Sequence, residues 1–85
     1  MQNKNIAEKC NIMLIKIGLN ITHYRKSRNM TQKQLAKKAG VSIITIANIE
    51  NINKLYNIKL ITLFDIADAL NISADKLFHF KDEDD

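Results

Sequence analysis

Residues 31–50 read TQKQLAKKAGVSIITIANIE and predict two short helices joined by a glycine turn. Thr31 is a good N-cap for the first helix, and Gln34 lies at the position that completes a capping box. Gly40 suits the left-handed conformation that ends a helix, and Ser42 is an N-cap for the second helix. Two helices joined by a short turn that contains glycine form a helix-turn-helix, whose second helix commonly lies in the major groove of DNA.

A longer ordered set of residues extends this motif in both directions. The set consists of Ile21, Arg25, Thr31, Gln32, Leu35, Ala36, Gly40, Val41, Ser42, Thr45, Ile46, Ile49, Glu50, Thr62, Leu63, Ile66, Ala67, Ala69, Leu70, Ile72, Ser73, Leu77 and Phe78. In this order the residues resemble the phage-repressor/Cro-like (XRE) helix-turn-helix family over residues 17–80. The resemblance implies an all-α, compact, five-helix lambda-repressor-like DNA-binding domain.

The composition favours one small helical domain. The chain has 85 residues, no proline and only two glycines, so few residues interrupt helices. No apolar run reaches the roughly 20 residues that span a bilayer, and the N-terminus lacks a secretory signal. Cys10 is the single cysteine, which excludes an intrachain disulfide and fits a reducing compartment. We therefore expect a cytoplasmic protein that does not enter membranes.

Charge is distributed unevenly along the chain. Residues 11–59 carry nine lysines and arginines against Glu50 alone, a net charge of +8. Residues 60–85 carry two lysines against seven acidic residues, a net charge of −5. A basic part joined to an acidic part predicts one surface that faces a polyanion and another turned away from it, although a solvated lysine surface is the alternative. Double-stranded DNA is the partner that the charge and the helix-turn-helix both indicate.

The apolar spacing divides the chain into three parts. Residues 1–12 form an N-terminal extension, which is either flexible or a helical continuation of the pattern that follows. Residues 13–80 form the DNA-binding domain, and residues 81–85 form an acidic tail. The first, fourth and last helices of the domain are predicted over residues 13–28, 60–70 and 73–80. Inward-facing positions are predicted at Met13, Leu14, Ile17, Ile21, Tyr24, Leu77 and Phe78.

By resemblance, the recognition helix of the motif covers residues 43–51. Its groove-facing positions carry Ser42, Ile43, Ile44, Thr45 and Asn48. Helical geometry agrees, because most of these positions point outward when Ile46 and Ile49 point inward. Isoleucine can contact thymine methyl groups and Asn48 can bond adenine bidentately, so we expect a preference for steps that contain T and A. In the alternative, Ile43 packs inward and Ile44 belongs to a protein interface.

Several polar residues are candidates for contacts with the DNA backbone. The N-termini of helices favour phosphate oxygens, which makes Gln32, Lys33 and Ser42 candidate phosphate ligands. Lys54 and Lys59 lie in the following loop, from which they can reach the backbone on the other side. None of these contacts specifies a sequence, because phosphates are common to every base pair.

Three further features concern the packing of the helices and the loop after the recognition helix. In the resembling family an arginine at the position of Arg25 reaches a glutamate at the position of Glu50, which predicts a structural ion pair. Gly18 lies inside the first helix, where glycine costs about 1 kcal/mol relative to alanine. In the loop after the recognition helix, Asn51 or Asn53 is expected to supply a left-handed conformation.

A possible dimer interface follows from the apolar residues near the C-terminus. Leu60, Ile61 and Phe64 exceed what the buried stripe of one helix needs. With Phe80 they are the candidates for a dimer contact, since members of the resembling family often dimerise through their last helices. The alternative is ordinary core packing.

The sequence offers no support for an enzyme. His23 and His79 have no cluster at metal-ligand spacing, and there is no glycine-rich phosphate loop. We therefore expect no metal and no cofactor. The prediction is a sequence-specific DNA-binding transcriptional regulator, of the repressor or restriction-modification controller type, that binds a pseudo-palindromic operator as a homodimer. The alternative is an antitoxin-like or other protein-interaction module whose DNA binding is secondary.

Overall fold

The computed structural model describes residues 4–80 and has no strand within them. Its elements are α1 (Lys4–Ser27), α2 (Gln32–Ala39), α3 (Ile43–Glu50), α4 (Leu60–Ala69) and a 3₁₀-helix (Ala74–Phe78). The all-α prediction is confirmed, but the predicted fifth α-helix is wrong. The side chain of Ser73 makes no cap hydrogen bond, and the segment is short, so it winds as a 3₁₀-helix instead.

The first helix is longer than predicted, because α1 begins at Lys4 and not at Met13. The helical form of the N-terminal extension is therefore the one observed over residues 4–12. Met13 is 47 % exposed, so its predicted inward position is wrong: the buried face of α1 starts only one helical turn later. Residues 1–3 and the acidic tail predicted for residues 81–85 lie outside the described residues.

The helix-turn-helix forms with the predicted caps. Thr31 Oγ1 accepts a hydrogen bond from the Gln34 amide at 3.0 Å, and Gln34 Oε1 accepts one from the Thr31 amide at 2.8 Å, which completes the capping box. At the start of α3, Ser42 Oγ accepts a hydrogen bond from the Thr45 amide at 3.0 Å. An N-cap of this kind contributes about 1 kcal/mol. These bonds fix the residues at which α2 and α3 begin.

Three helix ends use a residue with positive φ. Gly40 ends α2 with a φ of 75°, as predicted, while Asn29 and Asn71 follow α1 and α4 with φ angles of 56° and 59°. The Asn71 amide donates to Asp68 O, and the next amide donates to Ala67 O, both at 3.0 Å. These are the two bonds of a Schellman motif, so asparagine here takes the role that glycine has after α2.

The loop after α3 bends without a left-handed residue. Asn51 has a φ of −81°, and its Oδ1 accepts a hydrogen bond from the Asn53 amide at 2.9 Å. The left-handed conformation predicted for Asn51 or Asn53 is therefore wrong, because this Asx-type turn redirects the chain instead. Tyr56 and Ile58 then pack against the edge of the core.

All five elements contribute to one core. Its buried residues are Ile17, Ile21, Leu35, Ala36, Ile46, Ile49, Leu63, Ile66, Ala67, Ala69, Leu70, Leu77 and Phe80. Phe80 is only 6 % exposed, so its predicted place in a dimer interface is wrong, and Phe78, predicted to be inward, is 45 % exposed. The 3₁₀-helix turns Leu77 inward and Phe78 outward, and Phe80 reaches the core from the segment after the helix, where the backbone of His79 is extended.

Gly18 lies where α1 crosses the end of α3. A Cβ atom built on Gly18 would overlap the carbonyl oxygen of Ile49, which is a backbone atom and cannot move aside on its own. The glycine therefore sets how closely the two helices approach each other. The position of α3, and of every side chain on it, depends on this contact.

Candidate nucleic-acid interface

The helix α3 has one buried and one exposed face. Ile46 and Ile49 are 0 and 5 % exposed and hold the helix against the core. Ile43 and Ile44 are 46 and 68 % exposed, and Asn48 is partly exposed. The alternative in which Ile43 packs inward is therefore wrong. This exposed face is mostly apolar and carries one amide group.

Ala47 also lies on the exposed face, although sequence reasoning did not single it out. It follows Ile43 by four residues and Ile44 by three, the spacing that places side chains on one side of a helix. The same spacing rule could have identified it from the sequence. Below, the recognition face means Ile43, Ile44, Ala47 and Asn48.

Ser42 and Thr45 contribute mainly to the start of α3. Besides the cap, the two hydroxyl groups lie 2.9 Å apart and share a hydrogen bond. Thr45 is only partly exposed. Both residues therefore stand at the N-terminus of the helix, as predicted, but their hydroxyl groups already have partners within the protein.

The predicted ion pair between Arg25 and Glu50 is confirmed. Arg25 Nε and Nη2 donate to the two carboxylate oxygens of Glu50 at 2.7 and 2.8 Å, and Nη1 donates to Met30 O at 2.7 Å. The two charged side chains are 10 and 4 % exposed. The hydrogen bond with Glu50 raises the pKa of the Arg25 guanidinium above its ordinary value, so the arginine stays charged. The pair ties α1 to the last residue of α3.

Gln32 also binds Glu50, a contact that the sequence did not predict. Its Nε2 donates a hydrogen bond to Glu50 Oε1 at 3.1 Å. Gln32 is the first residue of α2, so the Glu50 carboxylate connects α1, α2 and α3 at one point. One N–H group of the amide predicted to bind a phosphate is thus engaged inside the protein, and Nε2 keeps a second N–H group.

Several lysines are exposed on α2 and along the loop between α3 and α4. Lys33, Lys37 and Lys38 are exposed on α2, which packs against α3. In the loop after α3, Lys54 Nζ donates a hydrogen bond to Asn48 Oδ1 at 3.1 Å. Lys59 is exposed at the N-cap position of α4. The structure thus brings Lys54 directly to the recognition face, whereas within residues 4–80 no contact links Lys59 to that face.

The exposed side of α4 carries three large apolar side chains. Leu60, Ile61 and Phe64 are 63, 66 and 52 % exposed, so core packing does not account for them. They stand on the helix that follows the helix-turn-helix, and on the opposite side from Leu63 and Ile66, which are buried. Below they are called the α4 apolar face.

Residues 4–80 contain neither a metal-binding cluster nor a membrane-spanning helix. No three histidine, cysteine, aspartate or glutamate side chains come together in a way that would hold a metal ion. No helix in this part of the chain combines the length and the apolar content needed to cross a bilayer.

Comparison with known proteins agrees with this geometry. The family model for helix-turn-helix domains matches residues 21–77. The uncharacterized HTH-type transcriptional regulator YazB of Bacillus subtilis (strain 168) is 42 % identical over 60 residues, which cover 71 % of this chain and 84 % of that protein.

Two solved structures have a similar fold. The restriction-modification controller protein C.AhdI from Aeromonas hydrophila is 26 % identical, with a TM-score of 0.71 over 76 % of this chain and 96 % of that one. The hypothetical transcription factor NHTF from Neisseria is 24 % identical, with a TM-score of 0.76 over 85 % of this chain and 80 % of that one, a likeness of fold alone.

Proposed function

The chain belongs to the XRE-type helix-turn-helix family and is a DNA-binding transcriptional regulator, and from this premise we propose that it binds a pseudo-palindromic operator as a homodimer. It acts as a repressor or as a controller of the kind that accompanies restriction-modification systems, and it works in the cytoplasm without a cofactor. The observation that carries this proposal is the recognition face: a surface of methyl groups and one amide, on a helix fixed by the Glu50 contacts.

The recognition face is suited to the major groove. Ile43, Ile44 and Ala47 offer methyl groups to thymine methyl groups, and Asn48 offers an amide to base edges. In water an exposed isoleucine pair has no favourable partner, so burial against thymine adds an apolar contribution to binding. Ser42 and Thr45 stand at the helix N-terminus, where the backbone amides attract a phosphate.

The lysines supply the sequence-independent part of binding. Lys33 at the start of α2 and Lys59 on the other side of α3 contact phosphates on the two strands that border the groove, whereas Lys54 lies beside Asn48 at the recognition face. Gln32 takes part through its backbone at the N-terminus of α2 and through the second N–H group of Nε2, since Glu50 accepts only the first. Lys33→Ala should weaken binding to all sequences alike and reduce the slope of log affinity against log salt by about 1.

The α4 apolar face serves the dimer. Three exposed side chains of this size on one helix are uncommon on a monomer surface. A two-fold axis through this face would give two recognition faces in successive major grooves, about 34 Å apart, and an operator with matching half-sites. Phe80 takes no part in this interface, because it is buried in the core.

The experiment is selection of the purified protein on random duplex DNA, followed by binding measurements at two salt concentrations. We expect an enriched inverted repeat with half-sites about one helical turn apart. Affinity for the repeat should keep a margin over random DNA at the higher salt. Enrichment of no sequence, with binding that salt abolishes completely, would contradict a specific regulator.

A second candidate, a protein-interaction module, is favoured by a separate observation. The N-terminal part of α1 exposes Ile6, Ile12 and Met13 by about half, and these residues do not belong to the α4 apolar face. An antitoxin-like role would place a different protein on this helix, with DNA binding secondary. Stable copurification of one defined partner that is lost in the Ile12→Lys variant would favour this function. A protein that purifies without a partner and selects an operator would exclude it.

A further inference from the structure

We propose that Lys54 determines which base Asn48 reads, and that this base is guanine. The inference rests on the proposed DNA-binding function and refines one contact within it. The sequence alone favours adenine as the partner of an asparagine, because asparagine can both donate to and accept from that base. The position of the lysine changes this expectation.

The contact between Lys54 and Asn48 fixes the orientation of the amide. Lys54 Nζ and Asn48 Oδ1 are 3.1 Å apart. A lysine ammonium group has three donors and no acceptor, so the amide atom that faces it is the oxygen and not the nitrogen. Asn48 Nδ2 therefore points away from the lysine.

The loop holds Lys54 in place for this contact. The backbone amide of Lys54 donates to Asn51 O at 3.0 Å, and the Asn53 amide donates to Asn51 Oδ1 at 2.9 Å. Asn51 is the C-cap residue of α3, so the turn that carries the lysine is anchored to the end of the recognition helix itself. Less conformational freedom is lost on binding when a side chain starts from a fixed backbone.

Together the two side chains offer mainly donors. Asn48 Nδ2 has two N–H groups that make no hydrogen bond within residues 4–80, and Lys54 Nζ keeps two N–H groups besides the one that Asn48 accepts. The one acceptor of the pair, Asn48 Oδ1, already has an ammonium group beside it. A further donor brought to this oxygen would meet the positive charge of the lysine.

Guanine is the base that matches this arrangement. Its major-groove edge has two neighbouring acceptors, N7 and O6, which can take one N–H group from Asn48 and one from Lys54. Adenine has an acceptor at N7 but a donor at N6, and that donor would have to approach the second lone pair of the Asn48 oxygen, next to the ammonium charge of Lys54. We infer that the pair discriminates guanine from adenine by about tenfold, the usual range for one specific base contact.

The test first locates the base pair and then changes the lysine. From the operator obtained by selection, duplexes carrying each of the four base pairs at each position are compared by fluorescence anisotropy. The position at which Asn48→Ala loses discrimination is the one that Asn48 reads. At that position, binding is measured for the wild type, for Lys54→Met, which keeps the apolar stem, and for Lys33→Met as a control for lost charge.

We expect the wild type to prefer guanine at this position by about tenfold over adenine, and Lys54→Met to lose most of that preference or to favour adenine. Lys33→Met should weaken all four duplexes by a similar factor and keep the guanine preference. Adenine preferred by the wild type, or a guanine preference that survives Lys54→Met, would overturn this inference while the regulator function stands. Selection that enriches no operator would overturn both.

Discussion

Glu50 is the residue on which the arrangement of the helix-turn-helix depends most, through its carboxylate. It accepts two hydrogen bonds from Arg25 and one from Gln32, and it is nearly buried. Buried charges that lose a partner are costly, whereas a complete apolar replacement often costs little. The role of the carboxylate is therefore to fix one arrangement of α1, α2 and α3.

Substitution of Glu50 by glutamine should lower the free energy of unfolding by about 3–5 kcal/mol, because it leaves the Arg25 charge without a counterion. Urea unfolding measures this directly. Arg25→Met should cost a similar amount, and the Arg25→Met/Glu50→Leu double variant should cost less than the sum of the two single changes. Strictly additive effects would contradict a coupled pair.

Gly18→Ala should destabilise the protein by about 1–3 kcal/mol, because the new methyl group overlaps the Ile49 carbonyl oxygen. Helix propensity alone predicts the opposite sign, a gain of about 1 kcal/mol. Asn11→Ala, an exposed substitution in the same helix, is the control and should stabilise by a few tenths of a kcal/mol at most. A Gly18→Ala protein more stable than the wild type would refute the close helix crossing.

Sequence reasoning at this scale depended on whether a residue had one plausible partner. Arg25 and Glu50 were predictable by resemblance, since each is the obvious counterion of the other. Gln32 was not, because an amide at a helix N-terminus suits a phosphate as well as a carboxylate. Gly18 gave no signal of its contact, because closeness to Ile49 exists only after α1 and α3 are packed.

At the scale of the element, the helix boundaries of the motif followed from local chemistry. The Thr31 capping box, the Ser42 cap and Gly40 each act within a few residues, so the sequence contains everything that determines them. The last segment was different. Leu77, Phe78 and Phe80 are all apolar, and their spacing alone does not decide which of them point inward, because the 3₁₀-helix ends at Phe78 and Phe80 follows it in an extended segment.

Gly40→Ala should destabilise the protein by about 1 kcal/mol through backbone strain, because φ is 75° although nothing lies within 4 Å of the added Cβ atom. Gly40→Asn is the matched comparison and should cost less, since asparagine adopts the same conformation at two other helix ends of this chain. The two midpoints in urea provide the measurement. Equal stability of the wild type and the alanine variant would argue against a left-handed residue here.

At the scale of the whole molecule, basic and acidic residues belong to different parts of the chain. Lys33, Lys37 and Lys38 are exposed on α2, which packs against α3, and Lys54 contacts Asn48, whereas the α4 apolar face belongs to the part of the sequence with net negative charge. The uneven distribution of charge follows from the sequence, while its placement on opposite surfaces stays a prediction. The sequence left open whether residues 1–12 are helical, since a polar segment with a few apolar residues is equally consistent with a flexible end.

Phe64→Lys should convert the proposed dimer into a monomer, because it places a charge and its symmetry copy in one interface. Sedimentation velocity at micromolar concentration distinguishes the two species. Phe78→Lys is the control: Phe78 is exposed to a similar degree but lies outside the α4 apolar face, so the dimer should persist. A Phe64→Lys protein that remains dimeric would place the interface elsewhere.

The central claim is that the recognition face reads base sequence. Its most direct test is the ratio of affinities for the selected operator and for a scrambled duplex, measured for the wild type and for Ile44→Ala/Asn48→Ala. We expect a ratio of about 10³ or more for the wild type. It should fall by roughly 100-fold in the double variant while affinity for the scrambled duplex stays the same. A ratio that does not fall would contradict the claim, because the specificity would then arise from another surface of the protein.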